Sequence, residues 1–479
     1  MLTGVPLTQD SPKHIQLAEQ ICVAIKLGHL RPNDPLPSAR KLAQLYGINR
    51  HTVMTALQNL VAQGWLSSEQ RRGYRVNQAL PIESSQHIAK PSAQARDIQA
   101  DFALSLSAGE LSERENTQYE YSFAGGLADL MEFPYDEFRR HLGQACRAVN
   151  VAQLHYGNCS GEPALKQQLR HYLRRARGLE CDDLLVCNGS QEALFLIAKA
   201  FIRSGEGVAV ESLGYPPAHR AFEACGATLH GIAQDKEGLS VDSLRTCFEQ
   251  NRIKLLYLTP LHQYPTMVTL SIGRRMAIYQ LCAEYGVFII EDDYDHEFHY
   301  RCPPLQPMAA SDPHGIVIYV STFSKIMFAG ARMGYLVARA DVLSELISLK
   351  QLMNHKNDIL LQMALANWMA SGEFERHLRR MTKRYQARCD ALASELQRYQ
   401  QSGYPLTFTV PDGGMAFWVN THQDVSRLSA RAAELGVYVQ TEAEFWRFPQ
   451  QHYTHIRLGF AGQNEDKMRT GLSRIISLL

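Results

Sequence analysis

Residues 318–340 read IYVSTFSKIMFAGARMGYLVARA. The apolar run from Ile316 to Val320 has the length and β-branched content of a buried strand, and it stops at hydroxyl residues. Lys325 follows at once, then Gly330 and Arg332, then a second strand-like run from Gly334. A loop lysine is ordinarily solvated. This loop, however, joins two core strands and so opens at a sheet end, where α/β folds collect their ligands.

Hydroxyls, glycine and Arg332 in such a loop make an anion cradle. Small residues let backbone N–H groups approach, and arginine gives a forked pair of donors. A lysine placed beside a cradle is partly desolvated, which makes its neutral amine a nucleophile for an aldehyde. An aldehyde that carries a phosphate is pyridoxal phosphate (PLP). That reading requires companions elsewhere in the chain.

At 479 residues, 45% hydrophobic and 20% charged, the chain suits two or three domains, each with its own core. The opening MLTGVPLTQDSPKHIQ lacks a signal-peptide core, and no apolar run is long enough to span a bilayer, so a cytoplasmic protein is expected. Ten cysteines without CxxC pairs or zinc-finger spacing fit free thiols in a reducing compartment and no metal site. Charge is uneven. Residues 1–78 carry nine Lys/Arg against four Asp/Glu, a net +5, while the remainder carries −4. A basic head on a mildly acidic body suggests a polyanion-binding module joined to a body with another task.

Within the head, residues 11–27 read as a helix with Ile15, Ala18, Ile21, Cys22 and Ile25 on one face. Ser38 caps a second helix that ends at Gly47, and Asn49 caps a third that closes at Gly64. WLSSEQRRGYRV then alternates like a short hairpin with a basic tip. This is the order of a winged helix-turn-helix. The third helix offers Asn49, Arg50 and Thr52 to double-stranded DNA, and the wing offers Arg71, Arg72 and Gly73. LGHLRPNDPLPSARKLAQLYGINRHTVMTALQNLVAQGWL resembles the DNA-binding head of GntR-type bacterial regulators. The resemblance implies DNA roles for Ser38, Arg40, Arg50, Thr52 and Gly73. Asn33 stands where the family usually has glycine, Asn49 where it has serine, and Tyr74 where threonine is common.

Residues 79–118, rich in Ser, Ala and Gln, read as a linker, which leaves 119–479 as the body. There the companions of Lys325 appear. LLVCNGSQEALFLIAKAFI is a strand, a Gly-Ser turn and a helix from Gln191, which aims N–H groups at an anion. VAVESLGYPP is a strand ending beside Tyr215, which can stack on a flat ring. VFIIEDDYDHEF is a buried strand, Val287 to Ile290, running into Glu291, Asp292, Asp293 and Tyr294. One carboxylate there would hold a pyridine nitrogen protonated.

Together these motifs resemble the fold-type I aminotransferases, an α/β fold with a mostly parallel sheet and a smaller C-terminal α+β subdomain. The resemblance makes Lys325 the cofactor-attachment lysine and pairs Asp292 with the pyridine nitrogen. Tyr294 would meet the 3′-oxygen and Tyr215 would stack on the ring. Gly189, Ser190, Gln191, Thr322, Ser324 and Arg332 would form the phosphate cup, and Tyr156 would reach the neighbouring subunit's phosphate. Arg457, in THIRLGFA, would bind a substrate carboxylate. Tyr264 and Met267 replace the asparagine and glycine of a common N-P-x-G motif, leaving His262, Gln263 or Tyr264 to supply the missing contact.

A GntR-type head joined to such a body resembles the MocR/GabR subfamily of transcription regulators, with HQYPT, IIEDDYDHEF and TFSKIMFAGARMGYL as its versions of the motifs. This implies a head-to-tail homodimer that binds operator DNA and senses an amino compound, or PLP itself, through aldimine exchange at Lys325. A working aminotransferase with a DNA-binding head is the alternative.

Overall fold

The computed structural model describes residues 11–69, 73–80, 119–155, 157–301, 303 and 305–479. Its contacts divide the chain into two compact units, Met1–Ala103 and Leu104–Leu479.

The first unit has helices α1 (Lys13–Lys26), α2 (Ala39–Tyr46) and α3 (Arg50–Ala62), then an antiparallel hairpin of β1 (Leu66–Glu69) and β2 (Gly73–Val76). Ser38 accepts the Lys41 N–H and Asn49 accepts the His51 N–H, while Gly47 ends α2 in the left-handed conformation. Asn33 also takes a left-handed φ of 70°, as a glycine would, which asparagine tolerates better than most residues. The core face of α1 differs from the sequence reading. It consists of Leu17, Ile21, Ala24 and Ile25, and Ile15, in the first turn, is 42% exposed. Ala18 and Cys22 pack only at its margin. Of the expected linker, only Ala79 and Leu80 lie within the described residues.

The second unit is built on a seven-stranded sheet. Its strands are β3 (Leu185–Cys187), β4 (Gly207–Glu211), β5 (Thr228–Ile232), β6 (Ile253–Leu258), β7 (Phe288–Asp292), β8 (Val317–Thr322) and β9 (Gly334–Val337). They lie in the order β3-β9-β8-β7-β6-β4-β5, and β9 alone runs against the others. Alternate residues serve opposite faces. Val208, Val210, Leu255, Tyr257, Ile290 and Ile318 join one apolar cluster, whereas Ala209, Leu256, Leu258, Ile289 and Val317 join another. Both faces are covered, so these strands read as continuous apolar runs rather than alternating ones.

Strand direction places the site. The C-terminal ends of β3, β4, β6, β7 and β8 and the start of β9 meet at one edge. Loops carrying Gly189, Tyr215, Tyr264, Tyr294, Lys325 and Arg332 leave from that edge. A smaller antiparallel sheet follows, with β10 (Thr407–Phe408), β11 (Ala416–Asn420), β12 (Gln440–Thr441) and β13 (His455–Gly459) ordered β10-β11-β13-β12. Helices Glu373–Gln401 and Glu465–Ile476 share its core. Tyr121–Ser122 pairs with Val437–Tyr438, which ties the first body residues to this subdomain.

Candidate functional site

The helix Ser190–Phe201 starts straight after β3, with Gly189 as its N-cap at φ 79°. Its first-turn N–H groups have no intrahelical partners and sit at the positive end of the helix dipole. Arg332 donates from Nη2 to the Asn188 carbonyl at 2.9 Å. A Cβ on Gly189 would lie 2.9 Å from that same nitrogen, so the turn admits the guanidinium only because residue 189 is glycine. Arg332 itself is left-handed, at φ 47°. That conformation costs a non-glycine residue roughly 1–2 kcal/mol, a strain typical of ligand-gripping positions. Thr322 donates to the Met333 carbonyl at 3.3 Å and accepts the Ser324 N–H at 3.2 Å. Gln191 contributes its backbone only, because its side-chain amide donates to the Pro217 carbonyl. Lys325 follows in the next turn, and a Cβ on Gly126 would come within 3.2 Å of its Nζ.

The three consecutive acids at the end of β7 divide their work by strand alternation. Glu291 accepts the N–H groups of Met308 and Ala309, holding a loop, and burial raises its pKa to about 7. Asp293 accepts Nε and Nη2 of Arg177 and the Tyr319 hydroxyl. Burial opposes ionisation there, but Arg177 outweighs it and holds Asp293 down to about 2. Asp292 faces the other way. Its Oδ2 accepts the Tyr257 hydroxyl at 2.8 Å, its buried Oδ1 has no partner, and burial raises it to about 7. Asp293 Oδ1 is likewise unpartnered, but its carboxylate is held by Arg177, whereas Asp292 feels the charge of Lys325.

Arg457, in the middle of β13, is completely buried, and its Nε and Nη1 have no hydrogen-bond partner. It makes no ion pair among the described residues. Its guanidinium lies 4.3 Å from the centre of the Tyr264 ring, and a Cβ on Gly125 would collide with it. An unpaired buried cation is costly, a cost that an anion placed beside it would offset. Around Tyr264 stand Tyr215 at 5.1 Å, Phe445 at 5.5 Å and Tyr294 at 6.1 Å between ring centres. The neighbouring His262 and Gln263 make hydrogen bonds of their own. His262 binds Asp295 through Nδ1, and the Gln263 amide donates to Leu213 and accepts from Thr266. Met267 adopts φ 65°, the conformation for which the replaced glycine is suited.

In the head, Ser38, Arg40, Asn49, Arg50 and Gly73 are exposed and Thr52 is half-buried. Arg71, Arg72 and Tyr156 lie outside the described residues. Sequence reasoning missed Gly125, Gly126 and Tyr257. The paired glycines in SFAGGLADL were a usable signal. Tyr257 was not, since its partner is 35 residues away.

Residues 135–475 match the family of aminotransferase class I and II, and residues 14–76 match bacterial regulatory proteins of the gntR family. The chain is similar to the probable rhizopine catabolism regulatory protein MocR of Rhizobium meliloti, 28% identical over 98% of this chain and 94% of that one. It is also similar to the HTH-type transcriptional regulator TauR of Rhodobacter capsulatus, 29% identical over 99% and 98%. Among solved structures it is similar to a kynurenine aminotransferase of Pyrococcus horikoshii in complex with PMP, with 29% identity and a TM-score of 0.70 over 75% of this chain and 91% of that one. The chain thus belongs to the aminotransferase class I and II family and carries a gntR-family head.

Proposed function

We propose that this protein is a DNA-binding transcriptional regulator that holds PLP at Lys325 and answers to an amino compound or to PLP itself. The observation that carries the reading is the similarity of the chain, over nearly its whole length, to named regulators. The gathering of the Gly189 turn, Asp292 and Lys325 at one sheet edge supports it. When bound, PLP supplies an aldehyde that takes up primary amines and a ring that draws electrons from them.

The residues fit that group. The turn at Gly189, Ser190 and Gln191, with Thr322, Ser324 and Arg332, takes the phosphate. Asp292 would accept the ring N–H through its unpartnered Oδ1, with Tyr257 holding the other oxygen in place. Tyr215 stacks on the ring and Tyr294 meets the 3′-oxygen. Tyr264, which stands at the asparagine's position in the chain and packs against Tyr215, Tyr294 and Arg457, would take over its role. Arg457 grips the carboxylate of an amino acid effector. In the head, Ser38, Arg40, Asn49, Arg50, Thr52, Arg71, Arg72 and Gly73 meet operator DNA.

The assembly is a head-to-tail homodimer in the cytoplasm, with Tyr156 serving the neighbouring subunit. Exposed Val151, Leu154, Leu352 and Met353 support a subunit contact. Lys356 joins their two segments by donating to the carbonyls of Gln153 and His155. Among the described residues no helix is long and apolar enough to cross a membrane.

The second reading, an aminotransferase with a DNA-binding head, draws on the same complete set of residues and on the similarity to a kynurenine aminotransferase. One experiment separates the two. Operator binding is followed by fluorescence anisotropy across a panel of amines, beside a turnover assay with 2-oxoglutarate. A regulator changes its DNA affinity at the amine concentration that perturbs the cofactor absorbance, without many turnovers. Sustained turnover with unchanged DNA affinity overturns it.

A further inference from the structure

Glu192, the third residue of the helix behind the anion turn, has a partner that capping alone does not require. Its carboxylate accepts the Asn188 N–H at 2.5 Å and the Asn188 side-chain amide at 3.1 Å. Lys350, from the helix Ala340–Met353, donates to both carboxylate oxygens at 3.1 and 3.0 Å. Asn354 donates to the same carboxylate and accepts from Lys350 at 3.0 Å. Lys350 is fully buried, and the Glu192 side chain is 7% exposed.

An acid in a first helical turn commonly does no more than complement the dipole at the surface. Such a cap has no use for a buried lysine. Removing two charges from water costs several kcal/mol per ion, so a closed pair is a poor route to stability and a good one to fixed geometry. What it fixes is Asn188, whose carbonyl accepts Arg332 Nη2. Arg332 makes no ion pair among the described residues. It is thus oriented by a neutral carbonyl, which leaves its full charge for an anion.

We propose that Glu192 and Lys350 are positioning residues for the anion turn, locking Asn188 and, through its carbonyl, the Arg332 guanidinium in the orientation that receives a phosphate. The proposal rests on the PLP reading above. It differs from a purely structural role in acting on the phosphate and not on the ring.

The test compares PLP with pyridoxal, which lacks the phosphate, by absorbance titration of the full-length apo chain. The double variant Glu192→Gln/Lys350→Met removes both charges together and so leaves no lone buried ion. Its affinity for PLP should fall roughly tenfold or more, while its affinity for pyridoxal stays within about twofold. If the double variant does not fold, Glu192→Asp keeps the charge but withdraws it from Asn188, and should show the same selective loss. A variant that preserves the parent's preference for PLP over pyridoxal overturns the proposal and spares the PLP reading. A parent that binds neither compound sinks both.

Discussion

Tyr257 donates to one oxygen of Asp292 at 2.8 Å, while the other, equally buried, meets nothing. Asp292 is raised to about 7 by burial, as is Glu291, and Glu211 goes to about 8. A carboxyl whose folded pKa exceeds its unfolded one carries an extra proton when folded. Its cost to the apo protein is absent below about pH 4 and grows until pH passes the folded value. The contribution of these carboxyls to apo stability should therefore fall between pH 5 and pH 8, by up to about 1.4 kcal/mol per pH unit for each group. Buried His219 and half-buried His299, lowered by desolvation to about 4 and about 3, act in the opposite sense below about pH 6.5. Asp293 does not contribute in that window, because its stabilisation is lost only as pH falls toward 2. Asp292→Asn should flatten the slope, as read by calorimetric scans across the pH series. An unchanged slope would place the titration elsewhere.

Lys325→Ala removes the only amine proposed to attach the cofactor. Lys325 is half-buried in a turn, so the fold should persist with a melting temperature within a few degrees of the parent. Borohydride treatment in the presence of PLP should label the parent peptide containing residue 325 and leave the variant peptide unlabelled. A label retained at that peptide contradicts the assignment.

Arg457→Met should separate stability from response. Replacing an unpaired buried guanidinium with an apolar chain should raise the apo melting temperature by about 2–5 °C. The same change should weaken a carboxylate-bearing effector by about 2–4 kcal/mol, a factor of about 30 to 1,000. PLP loading should stay nearly parental. Anisotropy of operator DNA reads the response, and an effector midpoint equal to the parent's would remove Arg457 from the carboxylate site.

Arg50 is exposed at the first position of α3, with Asn49 capping behind it. Arg50→Ala should weaken operator binding by about 1–3 kcal/mol without altering PLP uptake. A fragment of residues 1–80 should bind more weakly than the full chain, because paired heads raise effective concentration. Equal affinities for the variant and its parent would take Arg50 out of the interface.

Much of the sheet edge was legible because doubly covered strands announce themselves as apolar runs, and the motifs sit where those runs stop. That the Gly189 turn, Asp292 and Lys325 gather at one edge falls to that reasoning. The face of α1 did not, because Leu17 and Ala24 extend its apolar arc and periodicity alone does not say which edge meets α3. Nor did the isolation of Arg457, which depends on which residues of β11, β12 and distant loops are not acids. The Glu192–Lys350 pair spans 158 residues and leaves no local trace.

The segment that enters the body joins two side chains that are otherwise distant in sequence. Tyr121–Ser122 is stitched to Val437–Tyr438, and within four residues Gly125 lies against Arg457 and Gly126 faces Lys325. The chain therefore passes Arg457 and Lys325 within a few residues of the body's first strand pairing and well before the large sheet begins at Leu185. A side chain at residue 125 would collide with the Arg457 guanidinium, so substitution there would disturb this entry segment and that buried cation together.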